Sequence, residues 1–401
     1  MANSLLTIDM ITRKSLQIFE NQLVLSRNVN RQYDNSFAKE GAKIGASMRV
    51  RLPDRVLVTD GAALGVQDDV EQFTNIAITS QKHVGVNFTS AELTLNLDDF
   101  ADRVLKPRIS QLAATVDADL ASVYLQIANS VGTPGTVPST SLVLLQGQQK
   151  LNEMAVDTNS RFAVVNPAAN AGLVEGMKGF FNPQGTISEQ FKSGMMAQNV
   201  LGYDEIAMSQ SIRNFRTGTR TNGTVTSTVT AQNTTTLSLS GLGANATIAQ
   251  GDVFTIAGVN MVNPQTRESV GSLQQFTVVA PVVATGGGVA SVTVYPAIVT
   301  ASEAFATVDT FPVAAAAVTW FGGANQLYPQ NIIAHKNAIS LATADLMLPE
   351  GVAFASRAVH NGISMRIVKQ YDINNDRMPC RIDVLYGFKA LRPEMACRLF
   401  G

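Results

Sequence analysis

The sequence predicts an α+β protein into which an all-β domain is inserted. Three observations support this class. A long amphipathic helix leads into alternating strands and helices, a threonine-rich region of short β runs follows, and the mixed pattern then resumes. Because the two flanks share a pattern that the middle lacks, an insertion at about residues 217–330 is the simplest account.

The N-terminal third is predicted to contain little core of its own. Residues 4–40 have the apolar spacing of an amphipathic helix that fades into a polar tail. Residues 46–75 carry short alternating runs broken by Pro53 and by glycines, which predicts an extended loop or hairpin lying on another surface. Residues 76–90 predict a strand.

The strongest helix pattern begins at the acidic residue Asp98. Apolar residues then recur at three- and four-residue steps from Ile109 to Ile127. A continuous helix from Asp98 to Ser130 would be about 50 Å long and could serve as a spine. Pro107 predicts a kink or a restart within it.

A strand–helix alternation follows the loop at residues 131–140. Residues 141–156 predict a helix, residues 161–165 a buried strand, and residues 166–177 a helix that Asn166 caps with Pro167 at its first position.

The inserted region is almost free of charge. Between residues 221 and 330 the charged residues are Asp252, Arg267, Glu268, Glu303 and Asp309. Its alternating runs can close into a barrel, which removes exposed strand edges, and we expect residues 217–330 to fold independently.

The chain ends on a predicted strand. Ile382, Val384, Tyr386 and Phe388 alternate with Arg381, Asp383, Leu385 and Gly387, the pattern of a strand with one buried face.

The composition indicates that copies of the chain cover much of its surface. Hydrophobic residues make up 45% and charged residues 15%, against about 25% charged in typical domains. The net charge of −1 argues against a strongly basic nucleic-acid binder. Two cysteines, no signal-peptide pattern and no apolar run long enough to cross a membrane indicate a protein kept in a reducing cytosol.

The sequence offers no anchor for catalysis, a cofactor or a metal. Thr285–Gly288 (TGGG) lies between β runs and predicts a hairpin turn rather than a phosphate loop. The three histidines lack metal-ligand spacing. Asp117 and Asp119 lie two apart on a helix, which favours a solvated face over a carboxylate pair. The four Asn-x-Thr patterns are interpreted as chance in a threonine-rich chain.

Charge is segregated along the N-terminal third. Residues 1–55 carry about +4 and residues 56–103 about −6. Two solvated surfaces would explain this, but an extended arm and loop must dock on something, and complementary potentials would steer that docking. The predicted contact residues between neighbours are Arg49, Arg51, Arg55, Asp60, Asp68 and Asp69.

The motifs in order resemble the major capsid (coat) proteins of tailed bacteriophages. Residues 380–399 (CRIDVLYGFKALRPEMACRL) resemble the C-terminal segment of that family, with its strand and its Tyr-Gly-x-x-x-x-Arg-Pro-Glu pattern. Residues 331–351 look like the segment that re-enters the main domain, and residues 251–279 are similar to the inserted β-domain of short-tailed-phage coat proteins.

The resemblance implies the fold of tailed-phage and herpesvirus shells, the Hong Kong ninety-seven type. Its parts would be an N-terminal arm (1–45), an extended loop (46–75), a peripheral domain with the spine helix (76–135), an axial domain in two parts (136–216 and 331–401), and an inserted β-barrel (217–330). The last strand would complete the central sheet, and Arg392, Glu394 and Arg398 would be contact residues near the capsomer interior.

The resemblance also implies the function and the partners. The chain would form pentamers and hexamers of an icosahedral procapsid that expands as double-stranded DNA is packaged non-specifically, with a portal protein and no membrane. The insert is shorter than in the best-known relatives and has no long charged loop, and no helical N-terminal extension is present, which implies a separate scaffolding protein. The protein would be found in the virion and, before assembly, in the host cytoplasm. A secreted surface-layer or adhesin-like protein is the alternative.

Overall fold

The computed structural model describes residues 8–34, 47–56, 72–88, 106–177, 193–196, 199–374 and 377–401, together with positions 58, 61 and 66. The chain divides into two compact units. The first unit comprises residues 1–51, 73–120 and 339–389, and the second comprises residues 52–72, 121–338 and 390–401.

Five α-helices lie in the described residues: α1 Ile8–Gln22, α2 Leu25–Asn28, α3 Lys106–Ala121, α4 Ser141–Glu153 and α5 Pro167–Gly176. The strands before the insert are β1 Asn30–Asp34, β2 Ser47–Arg51, β3 Phe73–Ala77, β4 Ser80–Phe88, β5 Ser130–Val131, β6 Arg161–Val165, β7 Glu205–Met208 and β8 Asn214–Arg216. Those of the insert are β9 Gly223–Val225, β10 Thr234–Ser240, β11 Thr247–Ile248, β12 Val253–Val262, β13 Ser269–Val278, β14 Val282–Val283, β15 Ala290–Ile298 and β16 Ala317–Trp320. The remaining strands are β17 Leu327–Pro329, β18 Asn331–His335, β19 Ile339–Ala344, β20 Phe354–His360, β21 Ile363–Lys369, β22 Met378–Ala390 and β23 Ala396–Leu399.

The first unit is built on a six-stranded sheet. Its order is β1-β19-β22-β21-β20, and β4 also pairs with β22. Helix α1 contacts β20 and β21 and buries Leu16 and Phe19. Separately, β2 and β3 form a two-stranded antiparallel ribbon.

The second unit contains a five-stranded sheet and a closed barrel. The sheet has the order β5-β23-β18-β6-β7, so the C-terminal strand β23, which the sequence pattern did not predict, lies inside the sheet between two partners. The barrel has the order β10-β15-β13-β12-β16-β9. Its core is apolar and fully buried at residues such as Phe254, Phe276 and Val292.

The structure confirms the α+β class and the all-β barrel, and it also confirms several local predictions. Strand β6 is buried along its whole length. The Asn166 side chain accepts a hydrogen bond from the Ala169 N–H at 3.0 Å and so caps α5. The TGGG segment is a turn between β14 and β15, closed by a hydrogen bond from the Gly288 N–H to the Thr285 carbonyl at 2.8 Å.

Two helix predictions are wrong in extent. The N-terminal helix ends at Gln22, and residues 30–34 form β1, which pairs in parallel with β19. The predicted spine continues as an α-helix only to Ala121, and a 3₁₀ turn over Ser122–Gln126 follows it. The chain must then turn extended at Ile127 in order to enter the sheet at β5. Asp98 and residues 99–105 lie outside the described residues.

The prediction of one buried face for the C-terminal alternation is also wrong. Strand β22 has sheet neighbours on both sides, and residues on both of its faces are buried, including Asp383 at 0% exposure. Arg366 and Arg381 each donate a hydrogen bond of 2.6 Å to that carboxylate, which satisfies the buried charge.

Candidate inter-subunit surfaces

The β2–β3 ribbon of the first unit has many exposed side chains. Residues of β2 alternate between exposed and half-buried, and β3 does the same except at Ile76, which is fully buried. The Arg49 guanidinium lies over the Phe73 ring, 3.6 Å from its centroid. Arg51 pairs with Phe73 in the strand register, and its side chain is exposed. Such a ribbon is only marginally stable alone, so its base must be held.

Strand β3 of the ribbon is held by β22. The Lys389 ammonium donates hydrogen bonds to the Thr74 hydroxyl at 2.7 Å and to the Asn75 carbonyl at 3.2 Å. A Cβ atom at Gly387 would collide with the Ala77 carbonyl oxygen, so this glycine permits the close approach of the two strands. Strand β3 is therefore held by β22 from Ala77 to Thr74, while Arg49 and Arg51 on β2 stay exposed.

In the second unit, three of the predicted contact residues meet within a single chain. One oxygen of the Glu394 carboxylate lies 3.5 Å from the Arg55 guanidinium and 3.2 Å from that of Arg392. The Tyr295 hydroxyl lies 3.4 Å from the other oxygen, and burial together with the Glu394 charge raises the Tyr295 pKa. We call Arg55, Arg392, Glu394 and Tyr295 the Glu394 cluster. The Arg55 and Arg392 side chains are only partly exposed, and whether the cluster also reaches a neighbouring subunit stays a prediction.

Arg398 must be withdrawn from the predicted contact residues. It is 1% exposed, and its guanidinium donates hydrogen bonds to the Gly251 carbonyl at 2.8 Å and to the Thr277 hydroxyl at 3.2 Å. Complete burial lowers its pKa to about 10. The side chain thus links strand β23 to the barrel inside the subunit and is not available to a neighbour.

The predicted acidic partners Asp60, Asp68 and Asp69 lie outside the described residues. The proposed pairing of basic and acidic segments therefore stays a prediction. Arg49 and Arg51 lie on strand β2, whereas Arg55 follows that strand and pairs with Glu394.

Asp117 is a structural residue that the sequence pattern wrongly predicted to be solvated. It is 2% exposed rather than solvated. Its carboxylate accepts hydrogen bonds from the backbone N–H groups of Val24 at 2.6 Å, Leu25 at 3.2 Å and Ser26 at 3.0 Å, and also from the Ser26 hydroxyl. Asp117 therefore fixes the start of α2, and with it the path of the N-terminal segment, on helix α3. The pattern around it offers no signal for burial, because the donors are backbone groups some 90 residues away.

Two amide side chains connect the barrel to the rest of the second unit. Gln275 on β13 accepts a hydrogen bond from the Ser130 N–H at 2.7 Å and donates one to the Ser130 carbonyl at 2.8 Å. Its amide thus pairs with the outer edge of β5 as a neighbouring strand would. Asn263, after β12, donates to the Glu153 carbonyl at the end of α4 at 3.1 Å. Nothing in the sequence predicts these links, because a glutamine or asparagine in a β-rich insert does not by itself indicate such a contact.

A buried ion pair lies near the point where the chain enters the barrel. Arg220 and Asp252 are 1% and 0% exposed at their side chains and approach to 3.1 Å. Asp252 also accepts hydrogen bonds from the N–H groups of Gly218 at 3.1 Å and Ala249 at 2.8 Å. Burial raises the pKa of the Asp252 carboxyl, and Arg220 and the two N–H groups oppose that shift. These contacts order the loop through which the chain enters the barrel.

Two features, a metal-binding cluster and a membrane-spanning helix, are absent from the described residues. Among those residues no cluster of three or more His, Cys, Asp or Glu is arranged to hold a metal ion. No helix there is long and apolar enough to cross a membrane.

Comparison with known proteins identifies the family. The sequence model of the P22 coat protein (gene protein 5) matches residues 1–401. The major capsid protein of Acyrthosiphon pisum secondary endosymbiont phage 1 is 22% identical over 338 residues, which cover 79% of each chain.

Two solved structures also align with the chain. A chain of Mycobacterium phage Che8 aligns over 95% of this chain and 91% of its own, with 12% identity and a TM-score of 0.44. The CUS-3 coat protein I-domain aligns over 25% of this chain and 96% of its own, with 26% identity and a TM-score of 0.17. The assignment rests on the full-length family match: the chain belongs to the P22 coat protein family and is a phage major capsid protein.

Proposed function

We propose that the chain builds an icosahedral shell of pentamers and hexamers around a double-stranded DNA genome. The observation that carries the proposal is the family match over the whole length of the chain. The β2–β3 ribbon supports it, because a two-stranded ribbon with exposed side chains is only marginally stable alone and is stabilised by a second surface that covers them. The surface-layer alternative has no such support.

The proposal assigns a role to each segment. Residues 1–45 are the arm, 46–75 the loop that reaches a neighbour, and 76–135 the peripheral domain. Residues 136–216 and 331–401 form the axial domain, and 217–330 the inserted barrel. The α+β part is then of the Hong Kong ninety-seven type.

The remaining partners follow from the same proposal. A separate scaffolding protein directs a procapsid, a portal protein occupies one vertex, and the shell expands when DNA enters. The subunit is made in the host cytoplasm and has no active site of its own. Cross-linked ladders of subunits on a denaturing gel of mature particles would contradict that last point.

Electron microscopy of particles formed with the phage's scaffolding protein tests the proposal. We expect closed shells of megadalton mass. A subunit that remains monomeric in the presence of the scaffolding protein would overturn the proposal. The variant Arg49→Glu/Arg51→Glu, which reverses two exposed charges on β2, should prevent closed shells while leaving the subunit folded. Arg55→Glu is not an equivalent change, because it would place a carboxylate beside Glu394 and disturb the subunit itself.

The control for the ribbon variant keeps the charge. Arg49→Lys/Arg51→Lys preserves the electrostatic attraction and loses only the flat guanidinium over Phe73. It should assemble nearly normally. If the glutamate variant also assembles normally at physiological salt, charge on this ribbon does not guide assembly.

A further inference from the structure

Gly85 is a glycine in the middle of strand β4 for which the subunit itself gives no reason. Its φ does not lie in the left-handed region, and a Cβ atom placed on it would meet no atom of a described residue within 4 Å, its two chain neighbours aside. The strand pairs with β22 from Ser80 to Phe88 without a bulge. A glycine inside a strand is destabilising relative to alanine, and it often marks a place where another backbone or a ligand approaches closely.

The other glycines within the described strands each have an internal reason. A Cβ atom at Gly223 or at Gly387 would collide with a carbonyl oxygen of a neighbouring strand. Gly258 and Gly271 have a φ of 79°, which side chains other than that of glycine rarely adopt. Gly85 therefore differs from the other four, and an explanation for it must be sought outside the subunit.

The missing side chain leaves a depression on the surface of the first unit, with a volume of about 260 Å³. Gly85 lies directly opposite Arg381 in the register of β4 and β22, and Asn87 lies directly opposite Pro379. Residues directly opposite each other in an antiparallel pair share a face of the sheet, and His83 shares that face because it lies two residues before Gly85. These five exposed residues therefore line one concave surface, which we call the Gly85 depression.

The side chains around the Gly85 depression are hydrogen-bond donors. The Nε–H group of Arg381 donates to the buried Asp383 carboxylate at 2.6 Å and so fixes the guanidinium. The two Nη groups have no hydrogen-bond partner among the described residues, and the side chain is 48% exposed. The Asn87 amide and the His83 imidazole add further donors. A carboxylate is the side-chain group that matches a fixed guanidinium flanked by neutral donors.

The chain itself carries an excess of carboxylates that can supply this group. Residues 56–103 contain eight acidic and two basic residues, a net charge of about −6. A phage major capsid protein surrounds itself with copies of itself, so acidic side chains of one copy meet donors of another. Charge complementarity therefore favours a second copy of this chain as the occupant.

We propose that the Gly85 depression receives a carboxylate-bearing side chain of a second copy of this chain. This inference rests on the proposed function, because it names one contact that joins neighbouring subunits. The absence of a side chain at Gly85 provides the space, and Arg381, Asn87 and His83 provide the donors.

The first test fills the Gly85 depression without disturbing the subunit. Gly85→Val introduces a β-branched side chain, which strands favour, at a position where the Cβ atom meets no described residue. The urea midpoint of the unassembled subunit should therefore stay equal or rise. Electron micrographs of assembly reactions with the scaffolding protein should nevertheless show few closed shells. Gly85→Ala, which adds only the Cβ atom, should assemble better than the valine variant.

Gly286→Val is the matched control in the turn between β14 and β15. Its φ also lies outside the left-handed region, and a Cβ atom there also meets no described residue within 4 Å, so shells should form in normal numbers. Normal shells from Gly85→Val would overturn the proposal, as would an equal loss of shells in both variants. A lower urea midpoint for Gly85→Val would show that the subunit's own chain fills the Gly85 depression, which also overturns the proposal.

The second test concerns the chemistry of the occupant. Asn87→Asp changes the size of the side chain very little and places a carboxylate at the edge of the Gly85 depression. It should reduce the number of shells most strongly at low salt, where repulsion between like charges is least screened. Asn87→Gln keeps the amide and should assemble nearly normally. Full assembly of Asn87→Asp at low salt would exclude a carboxylate and overturn the proposal.

The unaltered subunit keeps this inference apart from the proposed function. If the unaltered subunit forms no shells, the proposed function has failed. If both the unaltered subunit and Gly85→Val form normal shells, the proposed function stands and the docking site alone has failed.

Discussion

Replacing Asp117 by asparagine should detach the N-terminal segment from helix α3. The carboxylate satisfies three consecutive backbone N–H groups and one hydroxyl through its two oxygens. Asparagine keeps one oxygen and turns an NH₂ group toward donors on the other side. At least one pair of hydrogen bonds is lost, and buried donors then face a donor.

The magnitude follows from the number of bonds lost. A hydrogen bond to a charged group contributes about 1.5–3 kcal/mol, so the loss of two gives about 3–6 kcal/mol. That is a large part of the 5–15 kcal/mol by which a typical domain is stable. Asp119→Asn is the matched control, two residues along the same helix. Asp119 is 19% exposed at its side chain, and the ion pair that it would lose is worth about 1 kcal/mol or less.

Urea unfolding of the unassembled subunit and hydrogen exchange of residues 8–34 provide the assay. For Asp117→Asn we expect a lower free energy of unfolding. Backbone amide hydrogens should exchange faster in α1, α2 and β1 before they do so in the rest of the subunit. Ser26→Ala, which removes only the hydroxyl donor, should lower the free energy of unfolding by about 1.5–3 kcal/mol. Equal unfolding free energies for Asp117→Asn and Asp119→Asn, with unchanged exchange in α1, would refute the reasoning.

Three other predictions concern the second unit and the cysteines. Arg398→Met should lower the free energy of unfolding by about 3 kcal/mol, because the Gly251 carbonyl and the Thr277 hydroxyl lose a buried charged donor; a calorimetric change below about 1 kcal/mol would contradict this. Burial raises the thiol pKa of Cys397 to about 12 and that of Cys380 to about 11, so neither should react with an aromatic disulfide reagent at pH 8 until urea unfolds the subunit. Rapid labelling of the native subunit at either position would count against the buried geometry. Residues 217–330 expressed alone should give a dispersed amide spectrum with β-type shifts, whereas a collapsed spectrum would show that the barrel depends on its links through Gln275 and Arg398.

Patterns in the sequence predicted those elements that depend on interactions between residues close together in the chain. The alternation in residues 234–240 and 253–262 predicted barrel strands, and the Asn-Pro pair at 166–167 predicted the start of α5, because period and capping act over a few residues. The uncharged composition of the insert predicted a separate apolar core for the same reason.

Contacts between residues that are far apart in the sequence were not predicted. Residues 30–34 continue a helical pattern in composition, yet they form β1 because β19, about 310 residues later, offers a free edge. Asp117, Gln275 and Arg398 each satisfy backbone groups that lie 91 to 147 residues away. Nothing in the spacing of a charged or amide residue tells whether such distant donors and acceptors will surround it.

The pairing of β8 with β17 has a consequence for how the insert could be exchanged. These two strands carry the chain into and out of the barrel, and Phe215 lies directly opposite Tyr328 in the antiparallel register. The two ends of the insert therefore start side by side, and a tight Asn-Gly turn would suffice to join them as a hairpin. Any foreign module whose own termini are adjacent could be grafted onto the same pair of strands without stretching the host chain. The ribbon of β8 and β17 thus makes this position a natural graft point for displaying another domain on every copy of the subunit.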